Sequence, residues 1–311
     1  MREAGAGMGQ SEARVVDAFG EPGAWGECRP GGRGALWLRV ARSFPGSRPW
    51  SRFALLARRA ARRHLAGPVD TRVWGQRLRL YPDRSVSEAR ILFLPRSWDR
   101  AERRLLAKWA RPGFTFVDVG ANVGGYSFWV LSLVRTSVRV VAVEPNPDLA
   151  RQLRFNVGIN GAQDRVRVLE AAVGAVRDTG ALVVHPRNSG EGRLAEVGER
   201  PEYATARDST GAGRVAPPTI PVRIVTLADI VRDAGLDRLD CLKVDVEGHE
   251  PDVIQPFLRD APHGLWPRHL IVELKTGRRD GQRSAELESW LIARGYRLEL
   301  RTRLNGLFRL A

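Results

Sequence analysis

An α/β fold, with a mostly parallel seven-stranded sheet and helices on both of its faces, is predicted by three segments of this sequence. They are FVDVGANVGGYS at 116–127, VVAVEPNPDL at 140–149 and DCLKVDVEGHE at 240–250. Each is a short apolar run, as expected of a strand buried on both faces, that breaks into glycines or a burst of polar residues. Strands of this kind, alternating with helical segments, pair in parallel, and ligands bind in the crevice beyond their carboxyl ends.

Residues 1–50 are rich in Gly, Pro and Arg without a clear period and read as disordered or variable. Residues 51–66, SRFALLARRAARRHLA, have a helical pattern that sets Leu55, Leu56 and Ala60 against Arg58, Arg59, Arg62 and Arg63. So small an apolar face suits a helix that packs on the catalytic domain; the alternative is an amphipathic helix in peripheral contact with an anionic membrane. Segment 71–82, TRVWGQRLRLYP, alternates like a hairpin with its turn at Gly75-Gln76 and with Val73, Leu78 and Leu80 facing inward. A helix over 97–110, capped by Ser97, places Ala101, Leu105 and Trp109 on one side and stops at Arg111-Pro112-Gly113. The chain therefore divides into an N-terminal extension at 1–68, a hairpin-and-helix cap over the ligand clefts at 69–110, and a core domain at 111–311.

In the core, strands are expected at 114–119, 138–143, 165–170, 240–245 and 269–274, with helices near 124–134, 147–159, 226–235 and 284–294. The segment 296–310 alternates around Asn305-Gly306 and should add antiparallel strands at the sheet edge. A long interruption at 175–220 holds His185, Ser189 and Arg193, and LVVHP at 182–186 can pair with IPVRIVTL at 220–227 around it. Such a loop is either part of the acceptor wall or a solvated insertion.

The glycine turn points to a nucleotide-bearing cofactor. Gly120, Gly124 and Gly125 let the backbone turn tightly and admit a ligand against it. Glu144 lies 24 residues past Gly120, near the ~20-residue offset at which a second strand offers a carboxylate to ribose hydroxyls. A dinucleotide site normally wants Gly-x-Gly-x-x-Gly, and the middle position here is Asn122. S-adenosylmethionine has no phosphate but carries a sulfonium cation and an amino-acid head. Asp118 offers a carboxylate to the cationic end, Asn122 an amide to the head and Glu144 an acceptor to the ribose. The turn thus favours S-adenosylmethionine over NAD.

The DVGAN turn, the EPNP segment at 144–147, the spaced Asn156 and Asn160, KVDVEGHE at 243–250 and the strand LIVELK at 270–275 together resemble the FkbM family of S-adenosylmethionine-dependent methyltransferases. The resemblance covers roughly residues 90–300. It implies a Rossmann-like class I methyltransferase that transfers a methyl group to an oxygen, often on a sugar or glycan or on a polyketide-type secondary metabolite. It also implies a cofactor site made of Asp118, Gly120, Asn122, Gly124, Tyr126, Glu144, Asn146, Ala172 and Asp245.

A hydroxyl acceptor is a weak nucleophile, so a base or a metal must help to remove its proton. Candidates cluster after the strand at 240–245. His249 has an ordinary pKa near 6.5, suited to accepting a proton near neutrality. Glu250 and Glu247 could accept one or hold acceptor hydroxyls, and Asp245 sits where both ligands meet. Glu273, at the tip of the next strand, should face the same cleft. Magnesium is the rival reading, held by Asp245, Glu247, Glu250 and Glu273, although no spacing among them is diagnostic. Lys243 reads as the ion-pair partner of a nearby acid.

The 311 residues carry a net charge of +15, and all the basic side chains but Lys108, Lys243 and Lys275 are arginines. Such a balance suits an anionic partner, or simply reflects arginine-rich coding. A nucleic-acid methyltransferase is one alternative, but the 240–250 segment has neither an Asn-Pro-Pro-aromatic run nor a Pro-Cys nucleophile, so no nucleic-acid partner is expected; a non-catalytic cofactor-binding module is another. Two cysteines, Cys28 and Cys241, build no disulfide framework, and no run of 18 apolar residues occurs. A cytoplasmic enzyme is expected.

Overall fold

The computed structural model describes residues 23–44, 51–65, 67–185, 188–195, 206–207, 214–215, 219–275 and 278–311. Helices α1 (Gly32–Ser43) and α2 (Ser51–Arg62) lead into a hairpin of β1 (Val69–Val73) and β2 (Gln76–Leu80), then α3 (Val86–Phe93) and α4 (Arg100–Trp109). The core follows as β3 (Phe114–Val119), α5 (Gly125–Leu133), β4 (Val138–Val143), α6 (Pro147–Ile159) and β5 (Val166–Leu169). A second sheet intervenes, made of β6 (Ala172–Val173), β7 (Asp178–His185), β8 (Asn188–Leu194) and, beyond the two-residue β9 (Ala206–Arg207) and β10 (Arg214–Val215), β11 (Thr219–Val225). The core resumes with α7 (Leu227–Asp233), β12 (Cys241–Val244), α8 (Glu250–Asp260), β13 (His269–Glu273), α9 (Arg278–Ile292), β14 (Tyr296–Arg301) and β15 (Asn305–Leu310).

The main sheet has seven strands in the order β14-β15-β13-β12-β3-β4-β5. Five strands, β13, β12, β3, β4 and β5, run parallel, and β15 and β14 close one edge antiparallel. Alternation along each strand divides the core. Phe114, Phe116, Val140 and Ile271 pack with α4, α5 and α6 on one face. Val117, Val141, Leu242 and Val272 pack with α7, α8 and α9 on the other. Each such buried side chain contributes about 1.5–3 kcal/mol of transfer free energy, which is why the apolar runs alone announce these strands.

Several local expectations change. The hairpin turn lies at Trp74-Gly75, both with positive φ (52° and 81°), as a two-residue turn between right-twisted strands requires. Val73, Leu78 and Leu80 are buried as expected. Helix α4 starts at Arg100 after Asp99, and the Ser97 hydroxyl bonds the Leu94 carbonyl instead of capping. Trp109 is buried as expected, but the other buried side chains are Glu102, Arg103 and Leu106, while Ala101 is exposed and Leu105 half-buried. On α2, Leu56 points outward and Ala57 and Ala61 are buried; the side chain of Leu55 lies outside the described residues. Helices α1, α3 and α8 are additional to those expected.

Part of the N-terminal extension packs on the hairpin. Asp70 and Arg79 form a buried two-point ion pair (2.7 and 2.8 Å). Arg79 also donates to the carbonyls of Gly23 and Ala24, while Asp70 accepts from the Gly26 and Cys28 amides. Leu38, Ala41, Ala57, Ala61 and Leu65 join the same core cluster as Phe114 and Phe116. The expectation of disorder over residues 1–50 thus does not hold for 23–44; residues 1–22 and 45–50 lie outside the described residues.

The spaced asparagines tie the hairpin to the core. Asn156 accepts from the Arg79 amide (2.8 Å) and donates to its carbonyl (3.2 Å), and Asn160 does the same at Arg77 (2.8 and 2.7 Å). Standing one helical turn apart on α6, they replace the missing strand partner along one edge of β2.

Candidate active site

A cleft of about 380 Å³ opens at the carboxyl ends of β3, β4 and β12, within the size range of small-molecule sites. The glycine turn forms its floor. Gly120 has φ +71°, and a Cβ there would lie 1.9 Å from the Asp245 carbonyl oxygen, so the close approach of the β3 and β12 tips admits only glycine. Asn122 follows, itself at φ 53°. Three of the four described non-glycine residues with positive φ, Asp99, Asn122 and Glu247, line this cleft. Backbone strain of this kind gathers at functional sites.

Glu144 lines the cleft and accepts the Asn122 amide on one oxygen (2.7 Å) and the Asn146 amide on the other (2.9 Å). Burial pushes its pKa up to about 7, against the pull of these two amides. Each carboxylate oxygen keeps a further acceptor position for a ligand hydroxyl. Asn146 also lines the cleft while its side chain caps α6 at the Asp148 amide (3.0 Å). Tyr126 and Ala172 lie in the lining as well, and Gly124, at φ +85°, starts α5 just behind it.

Asp118 does not face the cleft. It is buried beneath the turn, where one oxygen accepts the Ser127 hydroxyl (2.7 Å) and the other lies 3.6 Å from the Lys243 ammonium. The register explains this, because β12 places Lys243 directly beside Asp118 on one face of the sheet. Burial pushes the Asp118 carboxyl up despite the lysine. Burial would lower Lys243, but Asp245 (3.2 Å) and Asp118 more than offset it and keep the ammonium charged. Lys243 also reaches the Gly120 carbonyl (3.3 Å). Asp118 therefore supports the turn through Lys243 instead of meeting a ligand's cationic end.

Asp245, Glu247 and Glu273 converge in the cleft, with one oxygen of each within 4.8 Å of the others. Lys275 pairs with Glu247 (2.5 Å) and sits 3.8 Å from Glu273. One Glu273 oxygen is buried without a hydrogen-bond partner. Burial, then the charges of Asp245 and Glu247, push the Glu273 pKa up to about 9. Both effects favour the protonated form of Glu273.

His249 and Glu250, the two other expected catalytic groups, lie outside the cleft lining. His249 begins α8 and its Nδ1 meets Asp252 (3.1 Å). One Glu250 oxygen accepts the amides of Val246 (3.0 Å) and Gly248 (3.1 Å), the two neighbours of Glu247. Glu250 thereby holds Glu247 in its left-handed conformation (φ 57°) and acts as a positioning group.

Other parts of the lining carried no clear signal in the sequence. Asn188, Gly190, Gly192 and Leu194 recur at period two along β8 and wall the cleft opposite Asn122, whose amide donates to the Gly190 carbonyl (3.2 Å). The alternation of small residues was the available signal. The side chains of His185 and Ser189 lie outside the described residues, as does the middle of the 175–220 segment; Arg193 is half-buried on β8. From the cap, the lining takes α3 and the Trp98-Asp99 pair and not the hairpin; Asp99 holds Arg90 (2.9 Å) and the Tyr126 hydroxyl (3.1 Å).

The model of the methyltransferase FkbM domain family matches residues 118–298. The chain belongs to this family. The matched domain holds four of the seven strands of the main sheet in full, β4, β5, β12 and β13, together with the end of β3 and the first half of β14. Among relatives, methyltransferase sdnD of Sordaria araneosa is 29% identical over 173 residues, half of this chain. The 2-O-methyltransferase NoeI of Sinorhizobium fredii is 28% identical over 162 residues, 51% of this chain. Each match spans 64% of the relative's own length. A solved FkbM methyltransferase from Methylobacillus flagellatus aligns over 72% of this chain and 54% of its own, at 14% identity and a TM-score of 0.41. No described helix is long and apolar enough to cross a membrane.

Proposed function

We propose that this FkbM-family protein is an S-adenosylmethionine-dependent O-methyltransferase acting on a hydroxyl of a sugar, glycan or secondary metabolite. The carrying observation is that one cleft joins the glycine turn and Glu144 to the carboxylates of Asp245, Glu247 and Glu273. The cofactor fits the donor set at one end: Glu144 has acceptor positions for ribose hydroxyls, and the Gly120 turn leaves backbone exposed to a ligand. When bound, it supplies an electrophilic methyl group on sulfur. The relative named as the 2-O-methyltransferase NoeI supports oxygen as the acceptor atom.

Asp245 is the base in this reading. Its carboxylate is 38% exposed, and its backbone adjoins the Gly120 turn, so it borders both ligand positions. It accepts the acceptor hydroxyl's proton, while Lys243 steadies its charge before transfer. Glu247 accepts a hydrogen bond from a neighbouring hydroxyl and protonated Glu273 donates one, a pairing that suits adjacent hydroxyls on a ring. A resident magnesium ion fits poorly. Lys243 and Lys275 already neutralise two of the three carboxylates, and Glu250 is turned into its own loop.

Replacing the base should lower turnover ~10²–10⁴-fold with little change in cofactor affinity. The test is Asp245→Asn, assayed for methyl transfer to hydroxylated glycans and for S-adenosylhomocysteine binding by calorimetry, with and without EDTA. Unchanged turnover in Asp245→Asn, or activity abolished by EDTA, overturns the assignment of the base. Binding of NAD but not of S-adenosylhomocysteine overturns the cofactor.

A further inference from the structure

We propose that the outward faces of α1 and α2 form a seat for an anionic lipid bilayer. From Cys28 to Val69 the chain carries ten arginines and no Asp or Glu. Three of these arginines already have partners within the protein. Arg42 donates to the Leu92 carbonyl (2.7 Å) and the Thr71 hydroxyl (3.0 Å), Arg58 lies over the Phe93 ring, and Arg62 pairs with Asp83.

The outward positions differ. Arg33, Leu36 and Arg39 follow one another at three-residue spacing along α1, and Phe53, Leu56 and Arg59 do so along α2, which places each trio on one stripe of its helix. Leu36, Phe53 and Leu56 are 57%, 53% and 58% exposed. Arg33, Arg39 and Arg59 are exposed and their guanidinium groups make no ion pair or hydrogen bond among the described residues. The two helices pack against each other, and their buried sides, with Leu38, Ala41, Ala57 and Ala61, are fastened to the core.

Apolar side chains interleaved with cations on one helical face suit the interface of a bilayer bearing anionic headgroups. A second copy of this chain would set one acid-free arginine face against another, which repels. A nucleic-acid backbone would engage the arginines but gain nothing from Leu36 and Leu56. The seat also adjoins the active site, because α3 rests on α1 and lines the cleft through Arg90 and Ile91.

The experiment is co-sedimentation of the full-length chain with vesicles of phosphatidylcholine alone or mixed with phosphatidylglycerol. Two variants are compared, Arg33→Gln/Arg39→Gln/Arg59→Gln and Leu36→Ser/Phe53→Ser/Leu56→Ser, each checked for an unchanged melting temperature. Binding is expected only to the mixed vesicles and is lost at high salt. The arginine variant should bind about a hundredfold more weakly, at roughly one headgroup attraction per charge removed, and the serine variant should also lose binding. No binding to the mixed vesicles, or binding that neither variant alters, overturns the proposal. So does a lipid-independent dimer that the serine variant dissolves, or RNA binding without vesicle binding.

Discussion

Glu144 receives the amides of Asn122 and Asn146 and borders the cleft, with its ionisation raised by burial to about 7. A ligand whose hydroxyls donate to this group favours the ionised form. Cofactor affinity should therefore rise with pH up to about 7 and level off above it, as far as the group is ionised in the free protein. Glu144→Gln should remove that dependence and weaken S-adenosylhomocysteine by about 1.5–3 kcal/mol. Calorimetry from pH 5.5 to 8.5 checks both effects, and a flat profile in the unmodified protein would count against the ribose contact. The position of Glu144 is legible in the sequence because a parallel strand following a glycine turn delivers its tip to a known place. The roles of His249 and Glu250 are not legible in this way. Both stand in the same polar burst as Asp245, and only the path of the loop decides that Glu250 turns back onto the amides beside Glu247.

Helix α3 is held from below by Glu88, which is fully buried and accepts the Tyr81 amide (2.6 Å) and the Gln152 side-chain amide (2.7 Å) on one oxygen. Its other oxygen has no hydrogen-bond partner, and burial raises its pKa from 4.5 to about 7. Below pH 4.5 the folded and unfolded chains both carry this proton; between 4.5 and 7 the unfolded chain loses it first, so folding stability falls as pH rises through this window. The full loss is on the order of 3 kcal/mol. Glu88→Gln should be more stable than the unmodified chain at pH 8 and not at pH 5, as read from urea midpoints; a stability difference independent of pH would refute the account. Element scale is also where the sequence reading was least complete. Helix α8 contains Pro251 and Pro256, but Pro251 stands in the first turn, where its missing N–H costs nothing, and Val253, Ile254, Phe257 and Leu258 supply a buried stripe. The eight residues of α3 are too few to show a period, and its cap, Ser85 accepting the Glu88 amide, is one residue in a polar stretch.

Over the whole molecule, the N-terminal segment buttresses the cap. Gly23 to Cys28 close over the Asp70–Arg79 pair, Arg42 ties α1 to the cap, and α3 of the cap lines the cleft. Deleting residues 1–65 should expose this pair and the side of the core that Leu38 and Ala61 cover. The melting temperature should fall, since each charged hydrogen bond lost is worth about 1.5–3 kcal/mol. Differential scanning calorimetry of the truncated chain decides the matter; a melting temperature equal to that of the full chain would make the segment an appendage.

Residue order alone was enough for the parallel core, its terminal antiparallel edge, the glycine turn and the positions of Glu144, Asp245 and Glu247. These follow from local rules: alternation marks a strand, glycine marks a close approach, and the tip of a parallel strand faces the crevice. Tertiary structure decided which polar groups meet. Asp118 and Lys243 are 125 residues apart in sequence and become neighbours only through the β3–β12 register. The Glu273 carboxyl is pushed upward only because β13 brings it, half-buried, beside two other carboxylates. Charge interaction and burial depend on distance in space, and distance in space is set by strand order and register, which no single segment of the chain contains.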